Sequence, residues 1–207
     1  MTTPAIEGSA LKEWAAIIQA LLEGEQILDI RKGGLREEGH HFRVQSTRLW
    51  LYPTVEHQRA ELLKPAYQRW VETTQAAAPA DRAIRVEGWA EVEGIATVGD
   101  PEVLDALDGK VIWSRSYVES RFRWKVRDPL HVLALRVHRL AEPITVPFHD
   151  EYGGCTSWVN LRELPAPGSV ASTPALSDAA FAARLKGSAE AIPGGFSPPE
   201  LEVELPG

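Results

Sequence analysis

Four blocks of this chain bring cations, carboxylates and aromatic rings close enough in sequence to do chemistry. The first is Arg31-Lys32-Gly33-Gly34-Leu35-Arg36-Glu37-Glu38. Two glycines beside three cations suit a loop that approaches a phosphate closely. Glycine removes the side-chain obstacle and arginine offers a planar fork of donors. The block is not a P-loop, because Gly-x-x-x-x-Gly-Lys-Ser/Thr is absent, and a charged hairpin tip has the same composition. The second block is Tyr52-Pro53-Thr54-Val55-Glu56-His57-Gln58, followed by Arg59 and Lys64. Thr54 reads as the N-cap of a helix running to about Leu63, with Glu56 near the positive end of its dipole. His57 then falls in the first turn, where backbone N–H groups can hold an anion, and shares a face with Glu61. Histidine titrates near neutrality, so His57 with Glu56 or Glu37 is the candidate acid–base set.

The third block is Trp113-Ser114-Arg115-Ser116-Tyr117 with Arg121, Arg123, Trp124, Lys125 and Arg127. Rings that stack bases and cations that track phosphates make single-strand grooves, although a half-buried helix with a basic face looks the same. The fourth, His149-Asp150-Glu151-Tyr152-Gly153-Gly154-Cys155, carries four kinds of metal ligand. Its spacing matches no closed zinc motif, and it reads as a loop leading to a buried cysteine. Asp108-Gly109-Lys110 fits half of a restriction-type nuclease core but reads as a turn, and Asp29, the candidate first acid, has no partner evident in sequence. No metal or cofactor is required by any of these patterns.

Charge is segregated along the chain. The net charge of the 207 residues is −7, which argues against indiscriminate coating of nucleic acid. Yet residues 31–70 hold eight Lys/Arg against four Asp/Glu, and residues 113–139 hold seven against two. The blocks therefore sit as basic islands on an acidic background. The candidate anion-binding residues are Arg31, Lys32, Arg36, His57 and Lys64 from the first island, with Arg115, Arg121 and Arg136 from the second. There is no run of about 18 apolar residues and no secretory leader pattern at Met1–Gly8, so a cytoplasmic protein is expected. Cys155 is the single cysteine, which excludes an internal disulfide.

The elements that must position these residues follow from periodicity. Leu11, Trp14, Ile18, Leu21 and Leu22 predict a helix from Ala10 to Glu23, capped by Ser9 and ended by Gly24. Strands are predicted at Gln26–Arg31, Phe42–Val44, Arg48–Tyr52, Ala83–Val92, Val111–Trp113, Leu130–Leu140 and Ser157–Leu161. Further helices are predicted at Thr54–Leu63, beyond Pro65, at Pro101–Leu107 and at Ser114–Val126. From Pro165 onward Pro, Ala, Ser and Gly dominate, and one modest helix is expected near Ser177–Lys186. The expectation is an α+β fold: an N-terminal helix and a short mixed sheet with packed helices over residues 9–164 (two subdomains, 9–75 and 82–164, being an alternative), then a flexible or loosely docked tail, 165–207.

Arg31 through Glu38, Tyr52-Pro53-Thr54 with Glu56-His57-Gln58, and Leu62-Leu63-Lys64-Pro65 resemble the first half of the bacterial family DUF1802. Leu133 through Leu140, Tyr152-Gly153-Gly154-Cys155 and Ser157-Trp158-Val159 resemble its second half. The resemblance spans roughly residues 9–164. It implies no catalytic residues, since the family has no established activity. Some members are associated with restriction-endonuclease-like domains, which implies a restriction or DNA-processing setting. The residues and the resemblance together point to an accessory domain that binds nucleic acid or a phosphate-bearing ligand. The alternatives are a metal-dependent phosphodiester hydrolase using His57, and an interaction module in which some of the seven tryptophans serve an interface.

Overall fold

A computed structural model describes residues 7–32, 44–124 and 129–199. The chain enters the fold as a strand, and the predicted N-terminal helix is corrected to β1 (Ser9–Trp14) followed by α1 (Ala15–Leu22). Trp14 is extended, at φ −57° and ψ 135°, and separates the two. The reason is burial. β1 lies between β3 (Arg48–Thr54), parallel to it, and β6 (Trp158–Asn160), antiparallel. Every β1 residue except Trp14 is buried. A strand covered on both faces loses its polar/apolar alternation, and its apolar positions then merge with the period of the helix that follows.

β2 (Leu28–Arg31), β4 (Ile84–Val98), β5 (Leu130–Val146) and β7 (Ser172–Pro174) complete a seven-stranded mixed sheet. Its order is β2-β5-β4-β3-β1-β6, with β7 also pairing β5. The β4–β5 ladder runs from Val98↔Leu130 to Ile84↔Val146 and shifts register between Val86 and Gly88 and between Val92 and Gly94. At Gly88 a Cβ would lie 2.6 Å from the His138 carbonyl oxygen and from Leu22 Cδ2, so the bulge that lets α1 approach the sheet needs glycine.

The predicted Thr54–Leu63 helix is also corrected. β3 continues through Pro53 to Thr54, past its last pairing with β4 at Trp50↔Trp89, so the missing proline N–H leaves no gap in that ladder. The Thr54 hydroxyl accepts from Glu56 N (3.2 Å), and His57 takes φ +63°, outside helical space. Two single 3₁₀ turns follow, Ala60–Leu62 and Pro65–Tyr67, and then α2 (Arg69–Ala77). Val111–Trp113 contributes only an isolated bridge, Leu63↔Trp113. α3 (Val103–Asp108) and α4 (Arg115–Arg123) fall where predicted, with Ser114 Oγ accepting from Tyr117 N at the start of α4.

Neighbouring strand residues feed opposite faces of the sheet. Leu11, Leu49 and Leu51 join a core shared with α1, α2, α3 and α4. Ala10, Trp50 and Tyr52 join a second core closed by Tyr152, Leu161 and Leu164. The Pro- and Ala-rich segment supplies β7 and α5 (Asp178–Ala189), whose Phe181 enters the first core. Among the described residues no helix is long and apolar enough to cross a membrane. The architecture is a mixed α/β domain.

Candidate functional site

Most of the predicted cations are fastened to the fold. Arg31, at the end of β2, donates through Nε to Asp29 Oδ2 (2.7 Å), contacts Glu13 Oε2 (2.9 Å) and reaches the Lys12 carbonyl (3.0 Å). Lys32 is buried, with Nζ donating to the Phe122 carbonyl (2.5 Å). Lys64 Nζ donates to the carbonyls of Asp108 and Val111 and so ties down the end of α3. Arg115 pairs with Asp105 (2.8 Å) and Glu119 (2.9 Å), Arg121 lies 4.7 Å over the Trp124 ring, and Arg136 pairs with Asp178 and lies 4.9 Å over Phe181. Arg36 and Glu37 lie outside the described residues. His57 is exposed in its turn, and Cys155, expected to be buried, is exposed as well. Among the described residues no group of three metal-ligand side chains gathers.

A different set of residues surrounds a cleft of about 510 Å³. It lies where the parallel strands β1 and β3 end together, at Trp14↔Thr54, the position at which open α/β sheets tend to take ligands. Ala15, Ile18 and Leu22 of α1 form one apolar wall; Ala77, Ala78 and Pro79, at and after the end of α2, also line it. Its cations are Lys12, Arg82 and Arg85; its acids are Glu56 and Glu87. Of the candidate catalytic and anion-binding residues named from sequence, only Glu56 lines it, together with its block neighbours Tyr52, Pro53, Thr54 and Val55 and with Gly153 of the fourth block.

Lys12 is the unusual group. It is nine-tenths buried, its Nζ donating to the carbonyls of Tyr152 (2.6 Å) and Gly154 (3.0 Å) and standing 5.3 Å from the centre of the Tyr52 ring. An ammonium has three donors, so one is left for the cleft. Burial pulls its pKa below the ordinary lysine value, while the charges of Glu56 and Cys155 pull the other way. The Tyr52 phenol is pushed up to about 12, chiefly by burial and then by Glu56. Arg82 stands over Phe148, its guanidinium carbon 3.9 Å from the ring centre. Its φ is +64°, and His57, beside Glu56, is the other non-glycine residue at positive φ among the described residues. Backbone strain of this kind, about 1–3 kcal/mol per residue, tends to persist at binding sites, and here Arg82 lines the cleft while His57 only follows a lining residue, Glu56.

A second cluster lies on the other side of β1. Glu13 and Asp29, with side chains 11% and 1% exposed, share the Arg31 guanidinium. Asp29 Oδ1 is buried without a hydrogen-bond partner. Desolvation pushes Glu13 up to about 7; Arg31 opposes this and the charge of Asp29 adds to it. Trp14, Trp113 and Tyr117 stack nearby, with centroids of Trp113 and Tyr117 4.2 Å apart. Asp29 therefore has its partner, but on β1 and through an arginine.

Sequence reading missed Lys12, Arg82 and Glu13. Lys12 and Glu13 were hidden by the helix reading of residues 10–14. Two adjacent charges inside an otherwise apolar run, Ala10-Leu11 before them and Trp14-Ala15-Ala16 after, were the signal for buried charge. Arg82 carried no local signal beyond its place after Pro79.

The chain belongs to the family described as a domain of unknown function (DUF1802), whose model matches residues 10–187. The match runs past the segment at which the sequence resemblance stops. No curated protein matches the chain. Solved structures of the ASCH protein from Zymomonas mobilis are similar. A mutant form has 15% identity and a TM-score of 0.44, covering 78% of this chain and 92% of that one. The unsubstituted form has 17% identity and a TM-score of 0.44, covering 75% and 87%.

Proposed function

We propose that this domain binds a phosphate-bearing ligand, nucleic acid included, in the cleft at the ends of β1 and β3. Lys12 carries the reading. A buried ammonium held by two main-chain carbonyls, with its third donor left to a partly apolar cleft, is a pre-oriented partner for an anion, and burial strengthens that attraction. Arg82 supplies a second charge, its guanidinium making no hydrogen bond or ion pair among the described residues. Arg85 contributes less, being paired with Glu87 at 2.6 Å. His57 is exposed and does not line the cleft, so nothing favours the hydrolytic reading over simple binding. A restriction setting has no support in the geometry.

The test is calorimetric titration of the whole chain with short single-stranded DNA and RNA and with mononucleotides. Two neutralised phosphate charges give a single strand a log–log salt slope of about −1.4, or about sevenfold weaker binding between about 50 and about 200 mM salt. Arg82→Ala, a surface change, is expected to weaken binding at least about tenfold, the share of one charge-assisted contact, and to flatten the slope. Lys12→Met is expected to abolish binding in a protein that circular dichroism shows to be folded. Absence of binding at low salt, or an affinity indifferent to Arg82, rejects the proposal.

A further inference from the structure

We infer that the ligand of this cleft carries a planar heteroaromatic ring as well as its phosphate, so that the bound species is one nucleotide unit, either free or at the end of a single strand. The inference rests on the phosphate reading of the cleft and adds the other half of the ligand. Arg82 and Phe148 both line the cleft, and the guanidinium lies 3.9 Å above the ring. Phe148 is itself fixed, meeting Tyr152 edge-on with centroids 6.3 Å apart, and Tyr152 is buried. The left-handed backbone at Arg82 is a fixed and unfavourable conformation that aims this side chain.

A guanidinium aimed in this way is a flat, cationic platform. Its in-plane donors make no hydrogen bond or ion pair among the described residues, and its π surface suits a stacked base. The apolar α1 side chains Ile18 and Leu22 line the same cleft, so a ring between them and the platform is covered by apolar atoms, while its phosphate meets Lys12. Glu87, whose Oε1 accepts from Arg85, and Gln19, whose amide donates to Glu23, also line the cleft. A bare phosphate or a sugar phosphate would leave the platform and the apolar wall uncovered. A cleft of about 510 Å³ is in the range of sites for a single small ligand, not a groove for a duplex.

The experiment compares inorganic phosphate, ribose 5-phosphate, the four ribonucleoside monophosphates and a 5′-phosphorylated trinucleotide by calorimetry on the whole chain. A nucleoside monophosphate is expected to bind at least about tenfold tighter than ribose 5-phosphate, the increment of one stacked base. Phe148→Leu, which keeps an apolar side chain for folding, is expected to erase most of that increment while ribose 5-phosphate affinity changes by less than about threefold. A trinucleotide that binds about tenfold tighter than the monophosphates identifies a strand end as the source; one that binds no tighter identifies the free nucleotide. Equal affinity for ribose 5-phosphate and the nucleotides overturns the ring inference and leaves the phosphate reading standing. Failure of all four classes to bind removes both.

Discussion

Replacing Glu13 with glutamine (Glu13→Gln) is expected to change how stability depends on pH more than stability itself. Glu13 and Asp29 are buried carboxylates sharing one guanidinium, and Arg31 can neutralise only one negative charge. Glu13 therefore keeps its proton up to about pH 7 in the fold, against 4.5 for an ordinary glutamate. Between those values the native state holds a proton that the unfolded chain has lost, so stability falls as pH rises through the window and levels off above about 7. At about 1.4 kcal/mol per pH unit the total is about 3 kcal/mol, or a fall in Tm of about 6–12 °C for a domain of this size. The substituted glutamine cannot ionise. Urea unfolding of both proteins from about pH 5 to 8.5 is the assay. The difference curve should tilt toward the variant with rising pH, by about 3 kcal/mol across the window. His138 acts with the opposite sign in both proteins. Burial holds its pKa below 6.5, so it costs stability only as pH falls below that value, and it cancels in the difference. Parallel curves for the two proteins would refute the argument that the carboxylate pair shares a single counter-charge.

Two structural substitutions follow from the same packing. Lys64→Met leaves the carbonyls of Asp108 and Val111 without their charged donor and is expected to cost about 2–3 kcal/mol, seen as a drop in the urea midpoint with an unchanged m-value. Gly8→Ala places a Cβ 2.5 Å from Asn160 Oδ1 and 2.6 Å from the Leu161 carbonyl at φ +68°, and is expected to lose at least about 1 kcal/mol by loosening β6 from β1, measurable as faster amide exchange at Leu161.

What was legible in the sequence depended on whether an element presents one face or two. The period-2 pattern of Leu130–Leu140 located β5, because its residues alternate between two environments. Ser114 marked the start of α4 because a capping hydroxyl is a local device. β1 was illegible because a core covers each of its faces, Ala10 facing one and Leu11 the other, and Trp14 alone is partly exposed. The Thr54–Leu63 helix failed for a related reason. Thr54 and Glu56 satisfy the cap rule, but the hydroxyl closes a two-residue turn onto Glu56 N and the chain leaves helical space at His57.

The misplaced element carried the site away with it. Read as a helix residue, Lys12 is one more exposed cation near Glu13, and the basic islands at 31–70 and 113–139 draw attention instead. Read on a strand between β3 and β6, the same lysine must be buried, must satisfy its ammonium with carbonyls and must face the end of a parallel strand pair. The basic islands have the opposite fate. Arg31, Lys64 and Arg136 each meet an acid or a carbonyl from a distant part of the chain, and Arg115 meets Asp105 and Glu119 nearby, so the acidic background is largely their partner and not merely their contrast. Segregation of charge along a sequence therefore does not establish a charged surface. A cation is left available to a ligand only where no acid pairs with it, as at Arg82 among the described residues, and that is settled by which elements the fold sets side by side.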